Sequence, residues 1–172
     1  MEIKLSRQIF NSLEDSQLVR ACFEPLIPLI RVKSNKVKEE IYDQLTAEQK
    51  KLFIFNAYYN HACNSLAEFY WWSAFYLAQP KIWSELKSVL RYFNTDGMLK
   101  ILFEMEQILK IQNHSKEVEN FNVLYNDLDH NPELYSFVSP LFKNFNEVSH
   151  ATLNLIGKAI RNNPTAFILF DE

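Results

Sequence analysis

Glycine is almost missing from this chain: of 172 residues, only Gly97 and Gly157 are of that type. Two-residue hairpin turns and phosphate-cradling loops both draw on glycine for left-handed backbone or close approach. A hairpin-built β fold and a nucleotide loop are therefore not expected. Cysteine is nearly as scarce. Cys22 and Cys63 stand far apart without a CxxC pair, whereas small secreted domains carry several cysteines. Two buried, reduced thiols are the expectation. Residues 1–11 lack the charged start, apolar centre and small-residue cleavage site of a secretory signal. The longest uncharged stretch, Leu52–Ala67, contains Asn56, Asn60, His61 and Asn64. Those side chains are costly in lipid, and the stretch is shorter than the roughly 20 apolar residues a spanning helix needs. A cytoplasmic protein with no membrane partner is expected.

No strong charge imbalance is present either. The formal net charge is −3; residues 1–110 carry 14 basic and 13 acidic side chains, residues 111–172 carry 4 and 8. Nucleic-acid binders show a basic excess or stripe. The single basic cluster here, Arg31, Lys33, Lys36 and Lys38, runs straight into Glu39 and Glu40. It reads as a solvated helix start rather than a phosphate patch, so no nucleic-acid partner is expected. The catalytic signatures are missing as well: there is no GxSxG, GxGxxG, P-loop or HExxH. No cofactor is expected, and the protein reads as non-catalytic.

What the chain does have is aromatic mass and helix punctuation. It holds 14 Phe, 8 Tyr and 3 Trp, and its connections are made of Asn, Ser and Pro. A short helix is expected at Ser6–Leu13, then one capped by Asp15 and kinked or ended by Pro25 and Pro28. Ser34 or Asn35 opens a third. Thr46-Ala47-Glu48-Gln49 and Ser65-Leu66-Ala67-Glu68 are both capping boxes, and a break between them is favoured over one continuous helix. Leu66–Gln79 carries Phe69, Tyr70, Trp71, Trp72, Phe75 and Tyr76 on every side, the pattern of a helix buried all round. It is the expected centre of the fold. Pro80 opens the next helix, and Thr95 with Asp96 opens another. Ser115 opens one running through Leu128. Asn131-Pro132 and Ser139-Pro140 each resemble a cap followed by proline at the first helical position, and the last long helix runs from Pro140 to about Arg161. The apolar tail Phe167–Phe170 either packs back as a turn or strand or covers a partner. The expected fold is a single all-α domain over residues 1–172, with seven or eight helices packed around the central aromatic-rich helix.

Two sets of candidate functional residues follow. Tyr58, Tyr59, Trp71, Trp72, Tyr76 and Trp83 combine apolar bodies with polar tips that want a partner or water. Part of the set is expected to reach a groove that takes a ligand or a partner protein. The other set is metal-like. Glu147 and His150 lie three apart on one helical face, as in di-iron bundles, with Glu68 and His61 as further candidate ligands. A complete site of that kind also requires a second Glu-x-x-His, for which Asp127-Leu128-Asp129-His130 is the nearest match. Glu68 has a simpler use in the capping box, and Cys63 next to His61 reads as a packed thiol, since residues two apart point away from each other on a helix.

The Asn-rich turn leading into the aromatic helix, Asn60–Trp72, resembles the central motif of a little-characterised bacterial all-helical family that includes a DNA-mimic protein. Ile160–Phe167 is similar to that family's ending. Where the family has Asn-Gly-Gly at the turn, this chain has Asn64-Ser65-Leu66. The resemblance implies an all-helical fold and a binding role without catalysis. The alternatives thus stand as an immunity- or adaptor-like protein that binds another protein, with a homodimer among the forms considered, and a metal-dependent helical-bundle enzyme.

Overall fold

The computed structural model describes residues 1–112, 114 and 117–171. Strand β1 (Lys4–Ser6) is followed by α1 (Arg7–Ser12), α2 (Asp15–Phe23), α3 (Ile27–Ile30), α4 (Asn35–Asp43) and α5 (Ala47–Ala62). Then come α6 (Leu66–Leu77), α7 (Pro80–Tyr92), α8 (Asp96–Ile111), α9 (Asp127–His130), α10 (Pro132–Asn162) and β2 (Leu169–Asp171). The fold is all-α: among the described residues eight helices exceed one turn, α3 and α9 are single turns, and two three-residue strands complete the set. No helix among the described residues is long and apolar enough to cross a membrane. The chain divides into two compact units, Met1–Phe53 with Leu153–Glu172, and Ile54–Thr152.

In the unit formed by the chain ends, the apolar tail packs back as a strand. β2 pairs in parallel with β1, Leu5 opposite Phe170, and Phe167 and Ile168 are buried. The capping box at Thr46 forms in full: Gln49 N donates to Thr46 Oγ1 at 3.1 Å and Thr46 N to Gln49 Oε1 at 3.0 Å. Gln49 is itself buried, and its Nε2 donates to the Phe167 carbonyl at 2.8 Å. One side chain thus starts a helix and anchors the tail. Ser34 caps α4. α2 is capped by Glu14 rather than Asp15, with Glu14 N donating to Gln17 Oε1 at 2.9 Å. Asp15 is committed elsewhere: Arg161 Nε donates to its Oδ1 at 2.6 Å, while the same guanidinium donates to the Phe10 and Leu13 carbonyls. That junction requires Gly157, because a Cβ there would stand 2.0 Å from the Asp15 carbonyl oxygen. Pro25 ends α2, and a 3₁₀ turn over Glu24–Leu26 leads into α3.

In the second unit, α6, α7 and α8 pack against one another. Tyr58, Phe69, Tyr70, Leu86, Leu90, Leu102, Met105 and Phe145 are buried to 2% exposure or less. α5 stops at Ala62 and α6 begins at Leu66, so the two capping boxes mark two helices. Pro80 occupies the first position of α7. Asn94, in the left-handed region at φ 55°, ends that helix, a conformation asparagine tolerates. Thr95 does not cap α8 with its hydroxyl; Oγ1 donates back to the Leu90 carbonyl at 2.9 Å, closing α7.

Three further expectations about this unit need correction. α6 is not buried all round, since Trp71, Trp72 and Phe75 remain half-buried. Ser139-Pro140 does not start a helix. α10 begins at Pro132, where Asn131 Oδ1 accepts from Leu134 N at 3.0 Å, and Pro140 lies inside it. The stripe Leu134, Val138, Leu141 and Phe145 is buried on both sides of the proline, and that packing outweighs a penalty of about 3 kcal/mol for proline in a helix interior. The helix expected from Ser115 to Leu128 is replaced by a 3₁₀ turn at Val118–Asn120, an irregular stretch and the single turn α9; Ser115 itself lies outside the described residues.

Candidate functional site

α6 positions most of the aromatic set. Ser65 Oγ accepts from Glu68 N at 3.1 Å, which sets the first turn. The Glu68 carboxylate is bound by Asn64 Nδ2 at 3.0 Å. Helical spacing then divides the aromatics. Phe69, Tyr70 and Tyr76 face the core, with Ser73 and Ala74 as the small residues among them. Trp71, Trp72 and Phe75 share the opposite side.

The six residues of the expected groove separate in the same way. Tyr58 is buried against Tyr76, with ring centroids 5.3 Å apart. Its hydroxyl lies 2.8 Å from Ser73 Oγ, which in turn donates to the Phe69 carbonyl. Burial pushes the Tyr58 and Tyr76 hydroxyls well above their ordinary pKa. Tyr59 is half-buried between Phe55 and Phe145. Trp83 is 2% exposed, and its indole donates to Glu106 Oε2 at 2.8 Å. Tyr58, Tyr76 and Trp83 therefore belong to the core, and Tyr59 borders it.

Trp71 and Trp72 form a surface of their own. Trp71 stacks on Tyr125 at 4.9 Å and 9° and on Phe75 at 5.2 Å and 12°, with Phe121 edge-on at 5.3 Å. Its Nε1 donates to the Val123 carbonyl at 2.9 Å, which fixes the irregular stretch over the helix. Trp72 stands edge-on to Trp71 at 4.9 Å and stacks against His61 at 4.0 Å. Tyr125 is 48% exposed and Leu124 59% exposed. Burial against the indole lowers the His61 pKa, and the Glu68 charge opposes that shift. Glu68 also acts on Tyr125, whose pKa is raised first by desolvation and then by that carboxylate. Glu68 thus sits in electrostatic reach of both edges of the aromatic face.

The metal-like set does not converge. Glu147 is exposed on α10 and pairs with Lys143 at 3.9 Å, and His150 is exposed on the same helix. Glu68 and His61 belong to the aromatic face. At α9, Asp127 Oδ2 accepts from Leu124 N and His130 bonds the Asn126 carbonyl. Among the described residues no group of three or more His, Cys, Asp or Glu side chains is placed to hold a metal ion. The cysteines are packed thiols: desolvation raises Cys22 to about 12 and is the main cause of the rise at Cys63.

A second feature lies between α7 and α8, and of the six expected groove residues Trp83 lines it. A cleft of about 430 Å³ is walled by Leu77, Pro80, Trp83 and Leu109 on its apolar side. Its polar side is formed by Ser84, Lys87, Glu106, Lys110 and His114. Glu106 binds Lys87 through Oε2 and Lys110 through Oε1, at 2.5 and 2.7 Å. Burial would raise the Glu106 carboxyl, but the hydrogen bonds from Lys110, Lys87 and Trp83 outweigh it and bring it down to about 2. Tyr70 Oη lies 2.6 Å from His114 Nε2, and desolvation lowers that imidazole against the opposing charge of Asp127. Two signals were present in the sequence: Lys87 follows Trp83 by four residues, and Lys110 follows Glu106 by four.

No family model matches the chain, and no curated protein or solved structure shows significant similarity to it.

Proposed function

We infer that this is a non-catalytic binding or regulatory module of the cytoplasm, immunity- or adaptor-like, which contacts another protein through the outer face of α6. The observation that carries this reading is the ladder Phe75–Trp71–Tyr125, stacked in order, with Phe75 and Trp71 half-buried and Tyr125 exposed beside the exposed Leu124. Trp and Tyr are the residues that most often anchor protein interfaces. Here their rings are already held by one another and by the Val123 carbonyl, so little side-chain freedom is lost on docking. The likeness of Asn60–Trp72 and Ile160–Phe167 to a helical binding family points the same way.

The test compares proteins that co-purify from the native cell with wild type, with the double variant Trp72→Ala/Tyr125→Ala, and with Tyr92→Ala as a control on α7. Isotope-coded mass spectrometry should show a defined partner lost from the double variant and retained by the control. Identical partner sets for three folded proteins would sink the reading.

A further inference from the structure

The cleft between α7 and α8 has no part in that interface, and its chemistry differs. Lys87 and Lys110 come from different helices and are brought together by one carboxylate, which the Trp83 indole fixes from below. An ammonium group carries three donors, and Glu106 accepts one from each. The side chains of Lys87 and Glu106 are 14% and 12% exposed, whereas Lys110 is 46% exposed and reaches the mouth. Two cations therefore face one anion in partly desolvated surroundings, where the remaining positive charge is weakly screened. Desolvation disfavours the charged form of the His114 imidazole, against the opposing charge of Asp127. The apolar lining is Leu77 and Pro80, with Trp83 and Leu109 adding little surface at 2% and 1% exposure. The volume, about 430 Å³, falls in the range of small-molecule pockets, roughly 300–1,000 Å³.

We propose that this cleft binds a small organic anion, a carboxylate or phosphate monoester with a flat apolar body, its headgroup on Lys87 and Lys110 and its body against Leu77 and Pro80. Glu106 acts as a positioning residue, holding the two ammonium groups at the spacing an anionic headgroup can bridge. Charge-assisted hydrogen bonds supply the selectivity, and a neutral molecule of the same shape gains only the apolar contact.

Fluorine NMR titration tests this with para-fluorobenzoate, para-fluorophenyl phosphate and the neutral para-fluorobenzamide. At least one of the anions should bind about tenfold or more tightly than the amide, and whichever binds better identifies the headgroup. The Trp83 indole N–H resonance should move during the titration. Lys110→Met, a change at a half-exposed side chain that leaves the core intact, should weaken anion binding about tenfold; Lys143→Met, on α10, should leave it unchanged. The proposal is overturned if neither anion exceeds the amide, if Lys110→Met binds as wild type does, or if only the other tryptophan resonances respond.

Discussion

Replacing Gly157 by alanine separates intrinsic helix preference from the demands of the α2–α10 junction. In an open helix interior, glycine to alanine stabilises by roughly 1 kcal/mol. At Gly157 the new Cβ would lie 2.0 Å from the Asp15 carbonyl oxygen and 2.4 Å from its carbon, whereas ordinary contact starts at 3.4 Å. The obstacle is backbone, so it cannot rotate away. The end of α10 and the start of α2 would have to separate by about 1.4 Å to reach ordinary contact, which stretches the Arg161–Asp15 pair and the guanidinium bonds to Phe10 and Leu13. Overpacking of this kind costs about 1–3 kcal/mol, occasionally more, and the weakened ion pair adds to it. A net destabilisation of about 2–3 kcal/mol is expected, which lowers the melting temperature of a chain this size by about 4–12 °C. Urea unfolding followed by far-ultraviolet circular dichroism gives the free energy directly. Gly97→Ala is the internal control, because its Cβ would meet Val148 Cγ1 at 3.4 Å, an ordinary contact. That variant should be neutral or stabilised by up to roughly 1 kcal/mol. If Gly157→Ala proves as stable as wild type, the close approach and the reasoning built on it are wrong.

Other substitutions probe separate parts of the account. Val32 is 95% exposed with φ at 58°, a left-handed conformation that costs a β-branched residue about 1–2 kcal/mol; Val32→Asn should raise stability by about 0.5–1 kcal/mol in the same urea assay. Glu106 titrates lower in the folded protein, at about 2 against an ordinary 4.5. Its stabilising contribution is therefore complete above pH 4.5 and lost as the pH falls toward 2, by about 1–3 kcal/mol in all. Stability measured across that window should flatten in Glu106→Gln, and an unchanged slope would refute the assignment. Burial holds the Cys22 thiol at about 12, so a thiol-specific reagent at pH 8 should label Cys22 only after denaturant is added; prompt labelling of the native protein would contradict its burial.

Much of the fold was legible because its helix boundaries are written in local chemistry. Thr46 with Gln49, Ser65, Pro80, and Asn131 with Pro132 each supply the orphan amides of a first turn with a partner, or remove one of those amides, whatever lies elsewhere in the chain. Ser139-Pro140 carries the same local signal and misleads, because the buried stripe from Leu134 to Phe145 prevails there. Asp15 misleads for a related reason: Arg161, distant in sequence, claims its carboxylate. The aromatic set was readable as a group but not in its division, since helix spacing places Trp71 and Phe75 opposite Phe69 and Ser73 without saying which side meets the core. The Lys87–Glu106–Lys110 cluster was the least legible. Lys87 and Glu106 meet only because α7 packs on α8, and nothing in either helix alone announces that pairing.

The central claim is that the outer face of α6 docks a protein, and site-specific photo-crosslinking in the native cell tests it most directly. A benzophenone side chain placed at Tyr125 should yield a discrete adduct on irradiation. The same group at Tyr135, an exposed position on α10, should yield none. An adduct at Tyr125 that disappears when Trp72→Ala is added is the predicted result; no adduct at Tyr125, or equal crosslinking at both positions, would contradict the account.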